Sequence, residues 1–323
     1  MAPLLDVRGL RTSVTGRAGD VQVLDGVSLT LDRGEVLALV GESGSGKSMT
    51  CRSILQVLPS NVRITEGEVW CDGVDLTTLS PRQVRRFRGR YISMVLQDPS
   101  ASLNPMARIG NQIRETIPPT WPDPPQERVQ ELLDLVEIPE GGRRLRQYPH
   151  QFSGGMRQRV ASAIAMAPDP KVLILDEPTT ALDVTVQARY LKMLQRLQRS
   201  TGVGIIFVSH DLGVVAQLCD RVAVMYAGRI VEEGPVAKVF RDPEHPYTRA
   251  LLDSLPRLDD ERDRLATIEG EPPDPTDVPP GCPFNPRCPH AMDRCRQEEP
   301  ELRLLDGRGH RASCWLAEPE EEA

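Results

Sequence analysis

Aromatic residues make up only 4% of this 323-residue chain, and residues 1 to 64 contain no Phe, Tyr or Trp. Lysine is scarce as well, occurring only at Lys47, Lys171, Lys192 and Lys238, a bias that reflects genome composition rather than mechanism. No apolar stretch approaches the ~18 to 20 residues that cross a bilayer. The opening Met1-Ala2-Pro3-Leu4-Leu5-Asp6 lacks a signal-peptide profile, which predicts a chain retained in the cytoplasm. A net charge of -7 argues against nucleic-acid partners, because backbone affinity comes from clustered positive charge. The length suits about two domains with one sizeable core.

The most informative segment follows the apolar run Val36-Leu37-Ala38-Leu39-Val40, which reads as a buried strand. Gly41-Glu42-Ser43-Gly44-Ser45-Gly46-Lys47-Ser48 then spells a phosphate-binding loop. Gly41, Gly44 and Gly46 let backbone N–H groups converge on phosphate oxygens with no β-carbon in the way. Lys47 can reach the β- and γ-phosphates, and Ser48 can offer a hydroxyl to Mg²⁺. A helix expected over 48 to 58, ending before Pro59, points its positive end at the anion. Ser43, Ser45 and Met49 complete the expected nucleotide-binding set.

Hydrolysis requires a metal-holding carboxylate and a base, and a second apolar run, Val172-Leu173-Ile174-Leu175, ends in Asp176-Glu177. A parallel strand there delivers Asp176 to hold Mg²⁺ and Glu177 to polarise water. Without the phosphate loop, the same pair reads as an ordinary acidic turn ahead of Pro178. A third run, Ile205-Ile206-Phe207-Val208, places His210 at the same edge, where it can contact the γ-phosphate.

The pattern along the chain is α/β. Strand-like segments at 4 to 14 and 21 to 31 flank a turn at Gly16-Arg17-Ala18-Gly19-Asp20. Residues 98 to 165 turn polar, proline-punctuated and helical, with Pro124 to Val136 apolar at helical spacing, and are expected to form a helical insertion. Strand and helix alternate again from 171, with a helix over Ala181 to Gln198 and a short strand at Arg221 to Tyr226. Beyond about 255 the pattern lapses. Glu271 to Pro280 is a proline-rich connector, and the acidic end Glu318 to Glu322 is expected to fray.

Gln151-Phe152-Ser153-Gly154-Gly155-Met156-Arg157-Gln158-Arg159 precedes Asp176 by about twenty residues. A Ser-Gly-Gly at a helix start is commonly a plain cap, but in series with the other motifs it resembles the signature of ABC transporter ATPases. The resemblance covers essentially the whole chain. It implies a P-loop NTPase core with an N-terminal antiparallel β subdomain, a helical insertion and a small Cys-rich extension, divided as 1–255 and 256–323. It also implies that Ser153, Gly154 and Gly155 clasp the ATP of a partner subunit, that Gln97 belongs to the glutamine loop and contacts Mg²⁺, that Asp183 lies in the D-loop, and that His210 is the switch histidine.

Gln97-Asp98-Pro99-Ser100-Ala101-Ser102-Leu103-Asn104-Pro105, His245-Pro246-Tyr247-Thr248 and Gly281 to Pro289 resemble the oligopeptide, dipeptide and nickel import branch. The implied activity is ATP hydrolysis powering peptide import, with nickel import as the alternative. The implied partners are a second, paralogous ATPase subunit, two transmembrane permeases and an extracytoplasmic binding protein, at the cytoplasmic face of the membrane. A soluble ABC ATPase acting on DNA or ribosomes is the rival from another class, against which stand a single ATP site, the absence of heptads and the acidic balance. The family's adenine-stacking ring falls by spacing at Val14, so this chain offers no such ring there.

Four of the seven cysteines, Cys282, Cys288, Cys295 and Cys314, cluster near the C-terminus, while Cys51, Cys71 and Cys219 are scattered. A reducing compartment disfavours disulfides and makes a metal the natural staple for a core-poor segment. The spacings are wide for zinc, and the Cys-Pro steps suit iron–sulfur ligation. On the residues alone zinc, an iron–sulfur cluster and unliganded thiols all stay open. The family resemblance implies a 4Fe–4S cluster.

Overall fold

The computed structural model describes residues 2–16, 19–255, 267–307 and 309–317. The expected frayed end and Arg17-Ala18 of the expected turn lie outside them. Along the chain run β1 (Leu5–Gly16), β2 (Gly19–Leu31), β3 (Val36–Val40), β4 (Val62–Cys71), β5 (Val74–Asp75) and β6 (Ile92–Val95). They are followed by β7 (Val172–Asp176), β8 (Gly204–Val208), β9 (Arg221–Tyr226), β10 (Arg229–Pro235), β11 (Arg303–Leu304) and β12 (Arg311–Ala312). The chain divides into two compact units, one of Met1–Leu5, Thr30–Val36 and Trp70–Val208, the other of Asp6–Leu29, Leu37–Val69 and Ser209–Ala323.

In the first unit, β7 pairs in parallel with β6 and with β8. Every residue of β7 and β8 is buried, as continuous apolar runs in a covered parallel sheet should be. The expected insertion is helical, with helices Ile109–Thr116, Pro125–Leu135 and Gly154–Met166 packed on one another through Ile109, Ile113, Val129, Leu132 and Val160. The helix expected from Ala181 starts instead at Val184 and runs to Thr201. The reason is Asp183, whose carboxylate accepts the N–H groups of Thr185 and Val186 at 3.1 and 3.0 Å and so caps the helix rather than entering it.

In the second unit, β3 pairs in parallel with β9, and β10 pairs antiparallel with both β9 and β12. β1 and β2 run closer to their connection than expected, because Thr15 Oγ1 donates to Asp20 Oδ1 at 2.8 Å and Thr15 N–H to the Asn61 carbonyl at 2.7 Å. The helix after the phosphate loop covers Lys47–Ile54 and stops short of 58. Gln56 adopts φ +52°, Gln56 N–H donates to the Ser53 carbonyl at 3.0 Å and Val57 N–H to that of Arg52 at 2.9 Å. This paired closure satisfies the last carbonyls and ends the helix before Pro59 can act. The Cys-rich segment is integral to this unit: Cys282, Phe284 and Cys295 are buried in one cluster with Tyr226, Tyr247 and Val222. Full burial of each large apolar side chain stabilises by about 1.5–3 kcal/mol.

Candidate functional site: a phosphate loop and a strand-end carboxylate pair

β3 is buried throughout and releases the chain at Gly41. A Cβ at Gly41 would stand 2.2 Å from the Met225 carbonyl oxygen, and its φ of 149° favours glycine. Gly46, at φ 105°, caps the Lys47–Ile54 helix with no side-chain hydrogen bond, and the first turn holds no acidic residue. The helix start therefore presents its backbone N–H groups unopposed by negative charge, as anion binding requires. The buried Lys47 ammonium donates to the carbonyls of Gly41 and Glu42 at 2.7 and 2.8 Å, inside the curl of the loop. His210 is exposed just beyond β8, between Ser209, whose N–H donates to the Leu39 carbonyl at 3.2 Å, and Asp211, which caps the next helix.

Two residues of this loop's surroundings carried no derivable chemistry in the sequence. Tyr247 Oη accepts the Glu42 N–H at 2.8 Å. Arg287 Nη1 and Nη2 donate to the two carboxylate oxygens of Glu42 at 2.7 and 3.0 Å. Both belong to branch-specific motifs, His245 to Thr248 and Gly281 to Pro289, so the signal was present as a resemblance without a physical reading. Hydrogen bonding to Glu42 raises the Arg287 pKa further, and burial raises those of Tyr226 and Tyr247, so the guanidinium stays charged and both phenols stay protonated at neutral pH.

In the first unit, Asp176 ends β7 with only 4% of its surface exposed. Glu177 follows with φ +46°, a left-handed backbone that a non-glycine residue adopts at a cost. Its N–H donates to the Val208 carbonyl at 3.1 Å. Gln97 Nε2 donates to Glu177 Oε2 at 2.9 Å, and Thr180 Oγ1 donates to the same oxygen at 3.1 Å. The expected glutamine and the expected base are thus in direct contact.

Ser153 caps the Gly154–Met166 helix, its Oγ accepting the Met156 N–H at 3.4 Å. A Cβ at Gly155 would meet Val186 Cγ1 at 2.3 Å, so glycine is what lets this helix approach the one that Asp183 caps. Ser153 and Gly155 open onto a cavity of about 480 Å³ walled by Arg159, Arg189, Lys192 and Arg196. Two of these cations, Arg159 and Arg196, pair with Glu137.

All seven cysteines are free thiols. Cys282, Cys288, Cys295 and Cys314 line a single cavity of about 20 Å³. Burial, then the neighbouring Cys295, Cys314 and Cys288, push the Cys282 thiol up to about 11. Among the described residues, however, no group of three or more His, Cys, Asp or Glu side chains is arranged to hold a metal ion.

A glycine-cradled lysine at one strand end and a strained Glu hydrogen-bonded to Gln at another define a P-loop nucleotide hydrolase. Residues 24–180 match the ABC transporter family, and residues 231–295 match the oligopeptide/dipeptide transporter C-terminal region. The chain is 46% identical to the dipeptide transport ATP-binding protein DppD of Bacillus subtilis, over 100% of this chain and 97% of that one. It is likewise 46% identical to the oligopeptide transport ATP-binding protein OppD of Bacillus subtilis, over 98% and 90%. Among solved structures it is similar to the dimeric ATP-binding cassette MJ0796 bound to ADP and Pi, with TM-score 0.64, 26% identity and coverage of 72% of this chain and 98% of that one. It is also similar to cbiO1 of Clostridium perfringens, part of the ABC transporter complex cbiONQ, with TM-score 0.66, 29% identity and coverage of 75% and 92%. This chain belongs to the ABC transporter ATP-binding proteins and carries the C-terminal region of their oligopeptide/dipeptide branch.

Proposed function

We propose that this chain hydrolyses ATP to drive import of di- and oligopeptides, bound at the cytoplasmic face of the membrane to two permease subunits and served by an extracytoplasmic binding protein. The observation that carries the hydrolytic reading is the Gln97–Glu177 hydrogen bond, which holds the base carboxylate where the glutamine loop senses it. The peptide reading is supported by relatives named for dipeptide and oligopeptide transport and by the matched C-terminal region. Among the described residues no helix is long and apolar enough to cross a membrane, which leaves the spanning role to separate subunits.

In this reading, the Gly41–Ser48 backbone, with Ser43, Ser45 and Met49, seats the triphosphate, and Lys47 neutralises its β- and γ-oxygens. Ser48, Asp176 and Gln97 offer the hydroxyl, carboxylate and amide oxygens that a hard divalent cation prefers, so the residues fit Mg²⁺. When bound, Mg²⁺ supplies charge neutralisation at the phosphates. Glu177 orients and deprotonates the attacking water, and His210 contacts the γ-phosphate. Ser153, Gly154 and Gly155, with Asp183, face the ATP of a second ATPase subunit, a paralogue of this chain.

The same proposal extends to a 4Fe–4S cluster on Cys282, Cys288, Cys295 and Cys314. Four thiols line one cavity, and burial raises those of Cys282, Cys288 and Cys314, so an all-sulfur donor set stands ready to give up its protons to a soft cationic centre. The cavity is close to the size of one water, so a cluster requires the sulfurs to part. Two measurements test the proposal. The chain co-purified with its permeases in proteoliposomes should hydrolyse ATP faster when peptide-loaded binding protein is present; indifference to peptides with stimulation by nickel would replace the substrate. Anaerobically purified protein should contain iron and acid-labile sulfide; zinc without sulfide, or neither, removes the cluster.

A further inference from the structure

Glu42 is the second residue of the phosphate loop, and all three of its polar groups are engaged. Its carbonyl accepts the Lys47 ammonium at 2.8 Å, its N–H is held by Tyr247 Oη at 2.8 Å, and its carboxylate is gripped by both terminal nitrogens of Arg287 at 2.7 and 3.0 Å. Arg287 lies in the C-terminal segment and immediately precedes Cys288. Its side chain is 4% exposed, and its other donors are spent as well, Nε on the Glu269 carbonyl at 3.0 Å and Nη1 also on Tyr226 Oη at 3.3 Å. A planar guanidinium held at every edge cannot rotate, so it fixes the orientation of the carboxylate it clasps. Beneath it, Tyr226, Tyr247 and Phe284 pack against one another edge-on or tilted, with ring centroids 4.6, 5.2 and 5.4 Å apart.

We propose that Arg287 is a positioning residue of the ATP site. Through Glu42 it sets the backbone of the loop whose N–H groups receive the phosphates and whose carbonyls compete for Lys47, which makes the Cys-rich segment a working part of nucleotide binding. The inference rests on the reading that Gly41–Ser48 bind the triphosphate.

The test is titration of the full chain with Mg²⁺ and a non-hydrolysable ATP analogue, together with steady-state ATPase kinetics. Arg287→Ala should weaken analogue binding about tenfold, a typical size for coupled neighbours, and raise KM with kcat held within about twofold, the pattern of lost ground-state positioning. Arg287→Lys should not restore binding, because an ammonium cannot make the two-pronged contact. Glu42→Gln, distant in sequence from the thiols, should weaken binding alone, and the double variant should bind no worse than Arg287→Ala. Arg294→Ala, which removes a cation stacked on Trp315 in the same segment, should bind as wild type. Wild-type affinity in Arg287→Ala, multiplicative losses in the double variant, or an equal loss in Arg294→Ala would each overturn the assignment. If Arg287→Ala does not fold, wild-type affinity in Glu42→Gln overturns it equally. Lys47→Ala separates the underlying reading: undiminished binding there removes the phosphate loop itself, not Arg287.

Discussion

Gln97 and Glu177, 80 residues apart in sequence, share a hydrogen bond of 2.9 Å between the amide nitrogen and the carboxylate. The contact joins the second residue after β6 to the residue after β7, and its sense matters, because the donor is the amide and the acceptor is the group assigned as base. Glu177→Gln keeps the shape but removes the charge that accepts a proton from water. ATP binding should persist while kcat falls by about 10²–10⁴-fold. Turnover near the wild-type rate would move the base elsewhere.

A β-carbon at Gly41 collides with a backbone oxygen, whereas one at Gly44 meets nothing within 4 Å despite its φ of +81°. Gly41→Ala should therefore destabilise by about 3 kcal/mol or more and abolish nucleotide binding, since main chain must move. Gly44→Ala should cost only about 1 kcal/mol, the price of a left-handed alanine. Urea unfolding of both variants decides the order, and equal losses would contradict the clash.

His245 is fully buried, and burial lowers its pKa to about 4, with Glu232 opposing. Its Nδ1 accepts the Tyr247 N–H at 3.1 Å, as a neutral ring does. Because the folded value lies below the ordinary 6.5, the unfolded chain takes up the proton first, so stability is full above pH 6.5 and declines as pH falls toward 4. Between pH 7 and pH 5 the loss should be about 2 kcal/mol. The check is denaturant unfolding at both pH values; in His245→Asn this part of the pH dependence should vanish.

The phosphate loop was legible because its chemistry is local: eight consecutive residues carry the glycines, the lysine and the serine. Asp176-Glu177 was legible as the end of an apolar run, and Gln97 through family resemblance. Glu42's partners were not, since Tyr247 and Arg287 stand 205 and 245 positions away and no periodicity reports such pairing. The early stop of the Lys47–Ile54 helix was hidden for a different reason. It depends on Gln56 turning left-handed, a conformation that glutamine does not advertise. Asp183 read as part of a helix because a capping carboxylate and a helical one look alike in a string of letters, and only its bonds to Thr185 and Val186 separate them.

With five Phe, five Tyr and three Trp in the whole chain, the cluster of Tyr226, Tyr247 and Phe284 concentrates scarce rings in one place. Phe284, 1% exposed, is the ring that comes from the thiol-bearing segment. A polypeptide severed ahead of Cys282 would uncover two tyrosines that flank the nucleotide loop, leaving a greasy wound beside the engine. Trimming the C-terminus to obtain a minimal ATPase is thus a route to aggregation, and the segment from Cys282 onward should travel with the rest in any effort to purify it.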